Sequence, residues 1–256
     1  MKTIFALFAF SLLCFIQAAQ IVKLTGNPKV LTVQELKANA DGSISYTLDG
    51  KRWTAPEFSY DYARIPKPGE IIAAEKVFAS GDYGKAEKLF QIEYEKYKNL
   101  GWSVHCIIGR ARALNRAGRL KEALQQLEML KSFQTVDPYL ETDLQKARIL
   151  YVELLIKAKK YQAALVLTED MLASKADHVV FFAFERKGDI ALLMKDSKKA
   201  VGNYLQAYFL IDHHPRKAAV LYKAVLLLKE LKDKRWIQFA NLLKKRYPNS
   251  PYAKKL

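Results

Sequence analysis

The residue types that do chemistry are sparse in this chain and poorly spaced for it. There are four histidines and two cysteines. His213 and His214 sit together in DHHPR beside Asp212, but a metal centre needs more converging ligands than this turn supplies. His178 follows Asp177 at the start of an apolar-periodic run, where helix capping accounts for both. His105 immediately precedes Cys106. On a helix, adjacent side chains diverge by about 100°, so these two do not form a nucleophile–base pair. There is no glycine-rich phosphate loop, CxxC pair or GxSxG turn. The chain reads as a non-enzyme that carries neither metal nor cofactor, and the chemistry left to it is recognition. Arg112 and Arg116 are suited to that: one helical turn apart on one face, they can jointly grip a carboxylate or phosphate.

A recurring block sets the positions of those arginines. GDYGKAEKLF at 81–90 is echoed by GRLKEALQQL at 118–127, KKYQAALVLT at 159–168 and KDSKKAVGNY at 195–204. Each block opens on turn-like or polar residues and then places Ala86, Ala123, Ala164 or Ala200 at one offset, with Phe90, Leu127, Thr168 or Tyr204 four residues later. A second helical run precedes each block. The alanines are 37, 41 and 36 residues apart, a period of two helices plus their turns. Small residues also recur on the preceding helix at Ala74, Ala111 and Gly188, where a neighbouring helix must approach, although Val152 breaks that rule in the third unit. A degenerate fifth pair runs over 216–247; its turn is Lys232–Asp233 and its alanine is missing or displaced.

This pattern, best seen in FFAFERKGDIALLMKDSKKAVGNYLQAYFLIDHHP at 181–215, resembles the tetratricopeptide repeat (TPR) over residues 67–250. The expected fold class is mainly α: a TPR-like α-α superhelical solenoid of about five helix pairs, preceded by a small N-terminal β module. No unit buries its apolar face alone, so units stack, and the first helix of each pair lines the concave side. Inward candidates on those helices are Glu75, Phe78, Ile108, Arg112, Asn115, Arg116, Ile149, Glu153, Ile156, Lys157, Glu185, Asp189 and Tyr222. The polar set Arg112, Asn115, Arg116, Glu153, Lys157 and Asp189, with Tyr222, is the expected partner-binding face. Some TPR domains clamp a C-terminal carboxylate with Lys and Asn on their first helices. Here the corresponding positions are Ile71 and Glu75, so the resemblance does not carry that function over.

The chain starts differently. Lys2, an apolar run from Ile4 to Ile16 and the small pair Ala18–Ala19 have the layout of a secretory signal peptide. Cleavage after Ala19 would leave Cys106 as the sole cysteine, so no internal disulfide is expected. The expected domains are the signal over 1–19, a β module over 20–66 and the helical repeats over 67–256. In NADGSISYTLDGKRWTAPEF, Ile44, Tyr46 and Leu48 alternate with polar residues between two Asp-Gly turns, a half-buried strand with a hairpin signal on either side. LTVQELKA and KRWTAPEF are its expected partners, and IVKL at 21–24 a further strand. The arrangement loosely resembles small SH3-like barrels. So short a segment should lean on the first helical repeat, with Trp53, Phe58 and Tyr60 as the expected seam, and IPKPGE at 65–70 is the junction.

The formal charge of +16 favours acidic partners, but it is spread in short pairs along amphipathic runs. The leading expectation is an exported adaptor that binds a protein or peptide, periplasmic or secreted. The ending RYPNSPYAKKL resembles periplasmic TPR proteins of envelope assembly. The alternatives are a basic binder of cell-wall polymer or an anionic lipid surface, and a homo-oligomer of stacked solenoids. Nucleic acid is not expected, since aromatic residues do not interleave with the basic ones as in single-strand binders.

Overall fold

The computed structural model describes residues 19–130 and 137–256. The signal-peptide reading, apart from Ala19, therefore lies outside the described residues. Five strands come first: β1 (Gln20–Leu24), β2 (Val30–Ala38), β3 (Ile44–Leu48), β4 (Lys51–Ala55) and β5 (Tyr60–Arg64). They form an antiparallel sheet in the order β4-β3-β2-β1-β5. β3 sits between the two partners its turns imply. β5 had not been expected; its register with β1 pairs Val22 with Ala63. β2 shifts register between Gln34 and Lys37, where Glu35 takes φ 51°, and this bulge lets one strand serve both halves of the sheet. Among the described residues the strand order ends at β4 and β5, so the sheet has two edges and no hydrogen-bonded closure into a barrel.

Ten helices follow among the described residues: α1 (Gly69–Ala79), α2 (Tyr83–Tyr97), α3 (Ser103–Arg116), α4 (Leu120–Glu128), α5 (Pro138–Lys157), α6 (Tyr161–Met171), α7 (Asp177–Leu193), α8 (Ser197–Leu210), α9 (Lys217–Glu230) and α10 (Arg235–Arg246). They pack as five antiparallel pairs. Each pair reverses at the same backbone feature, a left-handed residue: Gly81, Gly118, Lys159, Lys195 and Lys232 all have φ between 57° and 90°. In the last four turns the next N–H reaches back to a helix carbonyl, as in Arg119 to Leu114 (2.9 Å), Lys160 to Leu155 (2.8 Å), Asp196 to Ala191 (2.8 Å) and Asp233 to Leu228 (2.9 Å). That is the Schellman closure, which satisfies the orphan carbonyls of the first helix. Asp82 and Asp196 then cap the second helix, accepting from the Lys85 and Lys199 amides.

The alanine of each block lies five residues after its left-handed residue and is fully buried at Ala86, Ala123, Ala164 and Ala200. In the fifth pair that offset holds Ile237, which is 51% exposed, and the buried small residue is Ala240, three positions later. Phe90, four residues after Ala86, does more than fill local space. A Cβ at Gly109, on the next unit's α3, would come within 2.5 Å of the Phe90 ring, so Phe90 joins two units.

The β module does lean on the first repeat, but through other residues than expected. Val22, Ile44, Tyr46 and Ala63 share one core with Ile71, Tyr97, Leu100, Trp102 and Cys106. Trp53 is 51% exposed and Phe58 87% exposed. Trp53 lies on β4, an edge strand among the described residues, and Phe58 sits at φ 68° in the β4–β5 connection. Of the expected seam only Tyr60 packs inward; its hydroxyl donates to the Gly42 carbonyl at 2.8 Å.

Candidate functional site

First helices touch across units: α1 meets α3, α3 meets α5, and α5 meets α7 directly, whereas no comparable contact joins successive second helices. The layer of first helices is therefore the inner one. Between α1, α3 and α5 it opens into a groove of about 530 Å³ lined by Phe78, Arg112, Asn115, Arg116, Leu150, Glu153 and Lys157. The repeat geometry explains the convergence. Arg112 and Arg116 are separated by one turn on α3, Glu153 and Lys157 by one turn on α5, and the two helices run side by side one unit apart.

Three cations and one carboxylate line this groove. Lys157 Nζ donates to Asn115 Oδ1 at 2.7 Å, which orients the amide and ties α5 to α3. Arg112 and Arg116 are exposed and have no ion pair among the described residues. Arg116 also lies in the last turn of α3, where the helix C-terminus favours positive charge. Phe78 and Leu150 add apolar surface beside them. The arrangement can hold a segment that offers a carboxylate to the arginines and an apolar side chain to Phe78.

The other inward candidates are already engaged. Glu75 accepts from Lys67 at 2.6 Å and bonds His105 at 2.9 Å. Despite the burial that opposes it, the Lys67 and His105 contacts hold its carboxyl below the usual range. Ile71, where a clamp residue would have to sit, is fully buried in the core shared with the sheet, and Ile108 is likewise a core residue. Glu185 is fully buried between Arg216 (2.6 Å) and Lys223 (3.2 Å). Asp189 had been expected on the free binding face. It is instead held by Arg186 (2.6 Å), the Tyr204 hydroxyl (2.7 Å) and Lys223 (2.8 Å). Burial, then the Asp189 carboxylate, pushes the Tyr204 phenol up. Tyr222 packs against Tyr252 of the closing segment, ring centroids 5.5 Å apart. Asp189 and Tyr222 thus stand apart from the groove, because α7 and α9 face each other through this polar network.

Cys106 is buried, and its thiol is pushed up to about 12, chiefly by desolvation; it is a core residue without nucleophilic character at neutral pH. His214 stacks on Phe181 with centroids 3.6 Å apart. Among the described residues no group of three or more His, Cys, Asp or Glu is placed to hold a metal. A second groove of about 550 Å³, apolar and lined by Leu127, Leu144, Tyr151, Leu155, Val166 and Leu167 among others, lies between α4, α5 and α6.

Similar architectures occur in solved structures. RapI in its apo form aligns with a TM-score of 0.60 at 13% identity, covering 73% of this chain and 55% of RapI. MamA residues 41-end from Desulfovibrio magneticus RS-1 aligns at 0.52 and 14% identity, covering 73% and 99%. A putative kinesin light chain of Podosopora anserina with nearly identical TPR-like repeats aligns at 0.51 and 14%, covering 71% and 95%. The helical array has the tetratricopeptide-repeat fold. This chain spans about half the length of RapI, and at such identities the TPR likeness is one of fold alone. No family model and no curated protein matches the sequence.

Proposed function

We propose that the chain is an exported, non-enzymatic TPR scaffold that holds a protein segment in the groove between α1, α3 and α5. The observation that carries this is the pairing of two exposed arginines, Arg112 and Arg116, with apolar Phe78 and Leu150 on the inner layer of the array. Elsewhere on that layer Glu75, Glu185 and Asp189 are satisfied internally. A carboxylate on the partner gains two guanidinium partners there, and the apolar lining rewards a neighbouring hydrophobic side chain. The exported setting rests on Lys2, the apolar run from Ile4 to Ile16 and the Ala18–Ala19 pair.

Capture from envelope extract tests the reading, with the full chain as bait beside Arg112→Ala/Arg116→Ala and washes at low and moderate salt. One protein retained at both salts and lost in the double variant supports the groove. Retention unchanged in the variant removes the groove from the account. Capture that vanishes with salt in both baits assigns the binding to net charge.

A further inference from the structure

The last helical unit carries a surface unrelated to the groove. Residues 229–256 hold nine lysines and arginines against two acids, a net +7 out of the chain's +16. Lys244, Lys245 and Arg246 are exposed and have no ion pair among the described residues, whereas Arg235 is forked onto Asp233 (2.6 Å). Exposed apolar side chains lie on the neighbouring helix α8: Phe209 is 56% exposed and Leu210 62%. Phe209 and Phe239 bring α8 and α10 together with ring centroids 6.2 Å apart. On α10, Phe239, Leu242 and Arg246 recur at helical spacing and share one face. Arg246 in turn lies close enough to Tyr208 and Lys217 to influence both electrostatically.

We infer that this face, formed by Phe209, Leu210, Phe239 and Leu242 with Lys245 and Arg246, docks on an anionic phospholipid surface. Charge complementarity draws the unit to the headgroups, and the aromatic and aliphatic side chains enter the interfacial layer while the lysine and arginine heads stay at phosphate level. Two features single out a lipid surface from a soluble polyanion. Exposed Phe209 and Leu210 have no role toward a hydrophilic polymer, and unpaired cations flanking apolar residues on one amphipathic helix match the boundary between headgroup and acyl chain. Docking here leaves the α1–α3–α5 groove untouched, so the two sites stand or fall separately.

Co-sedimentation of the full chain with vesicles tests it, comparing phosphatidylcholine alone with phosphatidylcholine containing phosphatidylglycerol, and using heparin-agarose as the non-lipid polyanion. The chain should pellet with the anionic vesicles and stay in solution with the neutral ones. Lys245→Gln/Arg246→Gln should weaken vesicle binding roughly thirtyfold. Phe209→Ser should weaken it roughly tenfold while leaving heparin retention unchanged; Leu210→Ser serves as a second apolar variant, and a wild-type-like thermal melt confirms the fold of each. Three outcomes overturn the inference: no pelleting with anionic vesicles, full binding by the Lys245→Gln/Arg246→Gln variant, or wild-type vesicle binding by both serine variants. The last would make the contact purely electrostatic.

Discussion

Gly188 and Tyr204 interlock across the fourth helix pair: a Cβ at Gly188 would come within 2.5 Å of the Tyr204 ring. The same two offsets hold Ala111 with Leu127 in the second unit and Val152 with Thr168 in the third. In these three units, as the residue on the first helix grows the one on the second shrinks, so summed volume is kept while identities trade places. The first unit departs from this, with Ala74 at the same offset from Phe90, whose ring extends to Gly109 of the next unit. Val152 is therefore no exception to the repeat. It is the large member of a pair whose small member is Thr168, both fully buried.

This exchange predicts a coupled pair. Gly188→Ala alone should destabilise by about 1–3 kcal/mol through overpacking. Tyr204→Leu alone loses ring contacts and the bond to Asp189. The double variant, which recreates the Ala–Leu combination of the second unit, should be more stable than the sum of the singles, by about 0.5 kcal/mol or more in urea denaturation. Simple additivity would contradict the volume exchange.

The guanidinium of Arg64 lies 4.9 Å from the Trp102 ring and 4.8 Å from the Tyr139 ring, and donates to the Gly101 carbonyl at 3.1 Å. It joins β5 to the connection before α3 and to the start of α5. Arg64→Ala should cost about 2 kcal/mol, and hydrogen exchange should rise in β5 and the first turn of α5. Arg64→Lys should recover only part of this, because an ammonium cannot stack between two rings as a planar guanidinium does.

Lysines occupy the left-handed position in three of the five turns. Lys159, Lys195 and Lys232 have φ of 59°, 62° and 57°, where the first two units use glycine. Glycine relieves the Cβ strain there at some cost in unfolded-state entropy. Lys195→Gly should stabilise by about 0.5–1 kcal/mol, read as a higher thermal midpoint, and Lys195→Val should destabilise. A lower midpoint for the glycine variant would mean that the lysine side chain contributes more than its backbone strain costs.

Desolvation lowers the affinity of His105 for a proton, although the Glu75 hydrogen bond opposes this. A histidine whose folded value lies below the unfolded one, about 6.5, contributes stability above that pH and loses it as pH falls toward the folded value. Glu75, also depressed, works in the same direction at lower pH. The stability gap between wild type and His105→Gln should therefore narrow from pH 7.5 to 5.5 in urea melts. A gap that widens on acidification would show that protonated His105 is the favoured form.

Local spacing alone controls the two-helix period, the position of each reversal, strand β3, and the placing of Arg112 beside Arg116 and of Glu153 beside Lys157, and all of these are legible in the residue order. These depend on neighbours within one or two helical turns, so periodicity and turn chemistry suffice. Tertiary structure decided which apolar and polar groups have partners. Trp53 and Phe58 look like core residues until β4 proves to be an edge, while Trp102, Tyr97 and Cys106 supply the seam. Asp189 looks free until Tyr204 and Lys223, 15 and 34 residues away, close around it. Burial and charge pairing are properties of contacts between distant segments, and the same side chain serves as lining or as core according to what the rest of the chain brings against it.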